Sequence, residues 1–400
     1  MIDINSHPIW RGINPFKKRG HLLRIFLARQ YGKLLPSSKF IGVTGSVGKT
    51  TTVIASQAVL MQKYKTISTA QTHAEMPNLD TIFNLPMTIL RVRPGIEKIV
   101  LEMGIEYKGE MDFYLHLIQP QTAIVTRIAN AHSEFLGDVE EIASEKGKLV
   151  ASLPAAGVAI LNFDDPLVKK MAETTKAKVL YFGTNSKECH VWASDIKITN
   201  FQLSFGLNYG VESVEIKSHF LGLHQVYPLL AAATLGLEAS IPLMKIKKAL
   251  ESIAPPEHRL QPLEGYNNSI VLDDTYNAAP IALDEALDTL SRVSAHRRIA
   301  VIGEMRELGE FSEKLHRLIA RKIMKEQPDL VFLGIGDTKY IAEELLNLGW
   351  NQDRLEYNLK NPEIVNKLLQ VLTKGDVVLV KGARANRLDE VVSRLVGLKK

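Results

Sequence analysis

From Ile41 to Thr52 the chain reads IGVTGSVGKTTT, and its glycines, lysine and threonines form a set suited to holding a polyphosphate. Gly45 and Gly48 let backbone amides approach phosphate oxygens. Lys49 offers a point charge to the β and γ phosphates, and the Thr50 hydroxyl is a ligand for Mg2+. The general spacing G-x-x-x-x-G-K-[ST] asks for glycine at position 43, where this chain has Val43. The variant T-G-x-x-G-K-T-[ST] fits throughout, from Thr44 through Gly45, Ser46, Val47, Gly48, Lys49 and Thr50 to Thr51. Glu102 closes the apolar run Lys98 to Glu102, and a hard carboxylate at the carboxyl end of such a strand is well placed for Mg2+. His132 follows the run Thr122 to Thr126 by a short loop, which brings it to the same edge.

These residues need a frame, and the hydrophobic pattern supplies one. Short apolar runs at Phe40 to Val43, Lys98 to Glu102, Thr122 to Thr126, Val158 to Leu161 and Val179 to Phe182 alternate with helical stretches, the mark of a parallel sheet covered by helices. Ile253 to Gln261, with Pro255 next to Pro256, reads as a linker. A second alternating unit follows, with strands at Ser269 to Leu272, Arg298 to Ile302, Leu330 to Gly334 and Asp376 to Lys381, and helices at Ile281 to Val293 and Ser312 to Lys325. The expected division is an N-terminal extension, 1–38, a central ATP-binding unit, 39–256, and a C-terminal unit, 257–400.

The extension has its own character. Phe16 to Leu35 carries Lys17, Lys18, Arg19, Arg24, Arg29 and Lys33 and no acid, with Leu23, Phe26, Leu27, Tyr31 and Leu34 at helical spacing. Such a basic amphipathic helix either docks its apolar stripe on the neighbouring domain, the reading preferred here, or lies on an anionic membrane surface.

Composition narrows the class. Four hundred residues, 46% hydrophobic and 23% charged, suit two or three globular domains and exclude a disordered chain. One cysteine, Cys189, excludes an internal disulfide framework. A net charge of +5 suits anionic small ligands and is too weak to argue for nucleic acid. No stretch reads as a membrane span, and the N-terminus lacks signal-peptide architecture, so a cytoplasmic location is expected.

The loop variant resembles that of the Mur ligase superfamily, the ATP-dependent amide-forming enzymes of cell-wall peptide and folate polyglutamate assembly. Further segments in order extend the resemblance over about residues 39–400: Leu101-Glu102-Met103-Gly104 with Gly109-Glu110, Val125-Thr126-Arg127-Ile128 with Ala131-His132, Glu145-Lys146-Gly147, and Asp273-Asp274-Thr275-Tyr276-Asn277-Ala278-Ala279-Pro280. Together with Gly303-Glu304-Met305, Glu307-Leu308-Gly309 and Lys381-Gly382-Ala383-Arg384, they match the branch that adds D-alanyl-D-alanine to a muramoyl tripeptide. The resemblance implies an α/β fold, a P-loop central domain with a mostly parallel sheet plus a Rossmann-like C-terminal α/β domain. It implies a ligase that phosphorylates a carboxylate with ATP and lets an amine attack the acyl phosphate. Both steps concentrate negative charge, which metal ions and cationic side chains neutralise. By the same resemblance Lys49, His132, Lys146 and Arg259 are catalytic, and Thr50, Glu102 and His132 hold two Mg2+ ions. Lys146 is carbamylated by CO2, while Asp274, Tyr276 and Asn277 contact the ATP ribose and base. Arg259 reaches the nucleotide phosphates from the hinge, although His258 stands where the family has glycine, and His224 before Gln225 carries only a weak assignment.

Three departures bear on the substrate. Thirty-eight residues before the first strand cannot build the branch's usual uridine-nucleotide-binding domain. The asparagine-rich loop keeps Asn78 but has Asp80-Thr81 in place of an asparagine pair, and Arg127 replaces another asparagine. The partners expected are an anionic or nucleotide-linked peptide acid and an amine or dipeptide. Three readings stand: a ligase joining D-alanyl-D-alanine to a UDP-muramoyl tripeptide; the same chemistry on a polyglutamate, tetrapyrrole or other envelope-polymer acid; or an ATP-binding partner subunit without ligase activity.

Overall fold

The computed structural model describes residues 4–11, 13–75, 80–129, 136–185 and 187–398, without the side chains of residues 5 and 73–75. The chain opens with α1 (Pro15–Leu34), β1 (Phe40–Thr44), α2 (Lys49–Leu60), β2 (Thr66–Ser68), α3 (Thr69–Glu75) and α4 (Thr81–Leu90). It continues through β3 (Lys98–Glu102), α5 (Glu110–Leu117), β4 (Thr122–Val125), α6 (Val139–Ala151), β5 (Val158–Asn162), α7 (Pro166–Lys170) and β6 (Lys178–Gly183). Three longer strands follow, β7 (Val191–Thr199), β8 (Gln202–Tyr209) and β9 (Glu212–Ser218), and then α8 (Val226–Glu238) and α9 (Leu243–Glu251). The strands form one nine-stranded sheet in the order β2-β3-β1-β4-β5-β6-β7-β8-β9. It is parallel from β2 to β7, and β8 and β9 extend it antiparallel.

Successive residues of a strand point to opposite faces, and the central strands are apolar on both, as a parallel sheet covered twice requires. Ile41, Val43, Val100, Ile124 and Ile160 pack on one side with α2 and α8. Phe40, Ile99, Leu101, Ala123, Val125 and Leu161 pack on the other with α4, α5 and α6. Residues 252–260 contain neither helix nor strand, so the double proline does break the chain. Gln261, placed in the linker by sequence, instead begins β10.

The second sheet runs from β10 (Gln261–Glu264) and β11 (Ile270–Asp274) through α10 (Pro280–Arg292), β12 (Arg298–Ile302), α11 (Ser312–Glu326) and β13 (Leu330–Gly334). It ends with α12 (Lys339–Asn347), β14 (Leu355–Leu359), α13 (Asn361–Val371), β15 (Val377–Lys381) and α14 (Asp389–Gly397). Its order is β10-β11-β15-β12-β13-β14, parallel except for β10. Pro262 explains why β10 escapes a pattern search: it lacks a ladder N–H and is tolerated on an edge strand. Leu221 joins the core of this second sheet, and Ile198 and Phe201 pack against it, so the antiparallel extension is the seat on which the C-terminal unit rests.

The N-terminal helix corrects the sequence reading. The stripe named there does not dock: Leu23, Phe26, Leu27 and Leu34 are exposed and Tyr31 is half-buried. The opposite face, Ile25, Ala28 and Gly32, is the one buried against the domain. Glycine at 32 permits the approach, because a Cβ there would lie 2.6 Å from the Leu117 carbonyl oxygen of α5. Trp10 packs on Phe83 with ring centroids 5.5 Å apart, His21 on the same ring at 4.3 Å, and the Tyr31 hydroxyl donates to the Val92 carbonyl at 2.9 Å. No helix among the described residues is long and apolar enough to cross a membrane.

Candidate active site

The C-terminal ends of β1, β3 and β4 meet where the strand order reverses about β1, the position at which open α/β sheets bind ligands. The glycine loop leaves β1 there and enters α2. Gly45 has φ 146° and Gly48 φ 80°, and Gly48 is the N-cap of α2. A Cβ on Gly45 would stand 2.0 Å from the Thr126 hydroxyl, so only glycine lets the loop pass β4. The loop is pinned from behind. Thr44 donates its hydroxyl to the Met103 carbonyl at 2.8 Å, Thr126 to the Val47 carbonyl at 2.6 Å, and Ser46 to the Ala129 carbonyl at 2.8 Å.

The loop opens on a cleft of about 600 Å³ between the two sheets. Ser46, Val47, Gly48, Lys49, Thr50, Thr51 and Glu102 line one wall, while Arg259, Asp274, Tyr276, Asn277 and Arg384 line the other. Of the loop residues expected to touch nucleotide, Thr44 and Gly45 lie behind it and shape it; the Thr44 side chain is spent on Met103. His132 and Asn78 lie outside the described residues.

Lys49, Glu102 and Thr81 converge on Gly104: a Cβ there would meet the Thr81 hydroxyl at 3.2 Å, the Lys49 Cε at 3.3 Å and Glu102 Oε1 at 3.9 Å. Lys49 donates to the Ser46 carbonyl at 3.1 Å. Burial lowers the Lys49 pKa; Glu102 opposes this, Arg259 adds to it, and Glu106 opposes it. Arg259 and Lys49 line the same cleft, so the two positive charges repel. The Thr50 hydroxyl and Glu102 carboxylate are hard oxygen donors on one wall, a donor set that fits Mg2+.

Lys146 lies on α6 behind this wall, 2% exposed. Burial pushes its pKa well below the ordinary value; the Lys49 charge adds to that, while Glu110, Glu145 and Glu102 oppose it. The two adjacent carboxylates are occupied elsewhere. Glu145 accepts the Gly109 amide at 2.8 Å and the Lys148 ammonium at 2.6 Å, capping α5. Glu110 accepts His7 at 2.9 Å on one oxygen and the Glu106 amide at 2.6 Å on the other. Lys146 is thus a buried amine that holds its proton less tightly than an exposed lysine does.

Across the cleft Asp274 and Lys381 face each other in register at the ends of β11 and β15. Lys381 donates to Asp274 at 2.5 Å and to the Asn277 carbonyl at 3.0 Å. The Arg259 guanidinium lies 4.1 Å from the centre of the Tyr276 ring. His258 adopts φ 61°, which is why glycine suits that position, and its Nδ1 bonds Asp273 Oδ2 at 2.7 Å to hold the strained turn. His224 lines the cleft with its ring against Gln225 at 3.0 Å.

Two groups escaped the sequence reading. Glu285 receives Arg127 at 2.7 Å across the cleft; its signal was the spacing of Ala282 and Glu285, one face of α10 lining the site just after Ala279 at its N-cap. His7 lies 103 residues from Glu110, and no local pattern connects them.

The comparisons agree with this geometry. Residues 43–236 match the Mur ligase middle domain and residues 258–384 the Mur ligase glutamate ligase domain. The UDP-N-acetylmuramoyl-tripeptide–D-alanyl-D-alanine ligase of Escherichia coli is 29% identical over 361 residues, 90% of this chain and 77% of the relative. That of Haemophilus influenzae is 30% identical over 359 residues, 89% and 76% respectively. In fold the chain is similar to MurF from Acinetobacter baumannii, with a TM-score of 0.83, 23% identity and coverage of 94% of this chain and 80% of that one. It is also similar to Thermotoga maritima MurF in complex with ADP, with a TM-score of 0.82, 24% identity and coverage of 94% and 83%. With a loop, a hinge and two sheets that follow these relatives along most of their length, the chain belongs to the Mur ligase family of ATP-dependent ligases.

Proposed function

We propose that this ligase joins D-alanyl-D-alanine to a UDP-muramoyl tripeptide at the expense of ATP, through an acyl phosphate. The observation that carries the reading is the cleft in which Lys49 and the glycine loop of one sheet face Arg259 and the Asp274 to Asn277 turn of the other. The relatives bearing that activity in their names, matched over most of their length, supply the substrate pair.

In this mechanism the loop amides and Lys49 hold the β and γ phosphates, and Thr50 and Glu102, with His132, would hold two Mg2+ ions, which would supply charge neutralisation during phosphoryl transfer. Arg259 approaches from the hinge as the two units close, adding positive charge where the transition state gathers negative charge and excluding water from the acyl phosphate. Asp274, Tyr276 and Asn277 take the ribose and base. Lys146, whose burial weakens its hold on its proton, would in its amine form add to CO2 and release one proton to solvent, giving an anionic carbamate that would support the cation-holding side of the wall. The central unit, 39–256, brings the phosphates and the C-terminal unit, 257–400, brings the nucleoside.

The test is phosphate release from Mg-ATP with UDP-muramoyl tripeptide and D-alanyl-D-alanine, omitting each in turn. Turnover that needs both, with pentapeptide product, supports the reading. ATP binding without turnover on this pair overturns the substrate assignment and leaves the family chemistry for another acid.

A further inference from the structure

The N-terminal helix is locked on the protein by one face and leaves the other uncovered. At 100° per residue, Phe16, Leu23, Leu27 and Leu34 fall within a sector of about 40°, opposite the buried Ile25, Ala28 and Gly32. Phe16 is 84% exposed, Leu34 79% and Leu23 59%, and Phe26 widens the stripe on one side. Five of the fifteen large hydrophobic residues exposed among the described residues lie on this one helix, so the patch is a local feature rather than ordinary scatter. Cations border it on both flanks: Lys17 and Arg24 on one, Arg19 and Lys33 on the other. Pro15–Leu34 contains no aspartate or glutamate.

We propose that this face of α1 docks on the surface of an anionic lipid bilayer, lying flat with its leucines and phenylalanines in the acyl boundary and its flanking cations at the headgroups. An apolar stripe between two rows of cations complements that surface in both respects. A second copy complements it poorly, because symmetric pairing through this face would set one helix's cations against the other's. The tie to the protein is rigid: the helix is held by the Gly32 approach to α5, by the Tyr31 bond and by the Trp10, His21 and Phe83 cluster. Docking therefore carries the whole chain to the membrane.

The experiment is co-sedimentation of the full chain with vesicles of equimolar phosphatidylglycerol and phosphatidylcholine, and with phosphatidylcholine alone, at low and high salt. The expected result is binding to the anionic vesicles, weakened by salt, and little to the neutral ones. Leu23→Glu with Leu27→Glu should weaken the partition at least about tenfold. Lys17→Ala, Arg19→Ala and Lys33→Ala should each weaken it about fivefold. All these positions are exposed, so the unfolding temperature without vesicles should stay as in the parent chain and serves as the folding control. Absence of a preference for anionic vesicles, or equal binding by the double glutamate variant, overturns the proposal. Sedimentation velocity closes the remaining case: a dimer abolished by the glutamates, without vesicle binding, assigns the face to a second copy and likewise overturns it.

Discussion

Lys146 and Lys381 are each 2% exposed, one in each half of the molecule, and they are buried in opposite ways. Lys381 faces Asp274 at 2.5 Å and a carbonyl at 3.0 Å, so its charge is matched where it stands. Lys146 sits among carboxylates whose oxygens are held by His7, backbone amides and Lys148, with the Lys49 charge nearby, and its proton is held weakly. A buried lysine with a partner braces a structure; one whose neighbours are already occupied is prepared for chemistry. The contrast separates the wall that carries the glycine loop from the wall formed by the second sheet.

The largest expected effect tests that division directly. Lys49→Ala and Lys146→Ala should each lower the turnover number by about a hundredfold or more, measured as phosphate release. Short carboxylates such as formate should restore part of the activity to Lys146→Ala, because they replace an anion, and none to Lys49→Ala. Rescue of neither variant, with both folded, would place Lys146 in a bracing role like that of Lys381.

Lys381→Ala comes next and should act on stability. Removing it leaves Asp274 buried without its partner, at a cost of about 3–5 kcal/mol in denaturant unfolding. The paired change Lys381→Met with Asp274→Leu should regain most of that loss, since no buried charge then remains. An intact midpoint in Lys381→Ala would show that water reaches Asp274 and that the two lysines differ less than their geometry indicates.

Lys146→Met should move stability the other way, a gain of about 1 kcal/mol or more near neutral pH in CO2-free buffer. The folded protein holds the Lys146 proton less tightly than the unfolded chain. Between the folded and unfolded pKa values the unfolded state therefore binds more protons, and stability climbs as pH rises through that interval. As pH falls through the same interval that stability is lost, and below the lowered value, where both states carry the proton, this group adds no further slope. The methionine variant should lack this slope, and denaturant midpoints across the alkaline range would reveal it.

Much of this arrangement was legible in the chain. The strands at Lys98–Glu102, Arg298–Ile302 and Leu330–Gly334 match residue for residue, because apolar runs bounded by turns have one reading in a doubly covered sheet. The loop was legible because glycines at 45 and 48 have no bland substitute. The antiparallel strands β7 to β9 alternate apolar and polar with many charges and did not announce themselves; the proline in β10 argued against a strand that exists. Helix α1 was seen but turned the wrong way. Periodicity finds an apolar face, yet Ile25, Ala28 and Gly32 make a smaller face than Leu23, Leu27 and Leu34, and close packing on α5 chose the smaller one. The bond from His7 to Glu110 is a long-range consequence of the fold and leaves no local trace, and that from Arg127 to Glu285 is equally long-range, hinted at only by the spacing of Ala282 and Glu285 on α10.

The smallest expected effect concerns that last pair, which crosses between the halves as Lys381 to Asp274 does within one. Arg127 reaches Glu285 at 2.7 Å, but its side chain is 41% exposed against 12% for its partner, so water screens the contact. A double-mutant cycle of Arg127→Ala and Glu285→Ala should give a coupling of about 0.2–1 kcal/mol that fades at high salt. Because Arg127 follows β4 of the central unit and Glu285 lies on α10 of the C-terminal unit, their coupling belongs to closure of the cleft. The substrate KM should rise a few fold in either single variant while kcat stays near its parent value. A coupling several times larger and indifferent to salt would mean that the pair is desolvated in the closed form. Arg127 would then behave like Lys381, a fixed brace, and the boundary between bracing and working residues would run across the cleft mouth instead of between its walls.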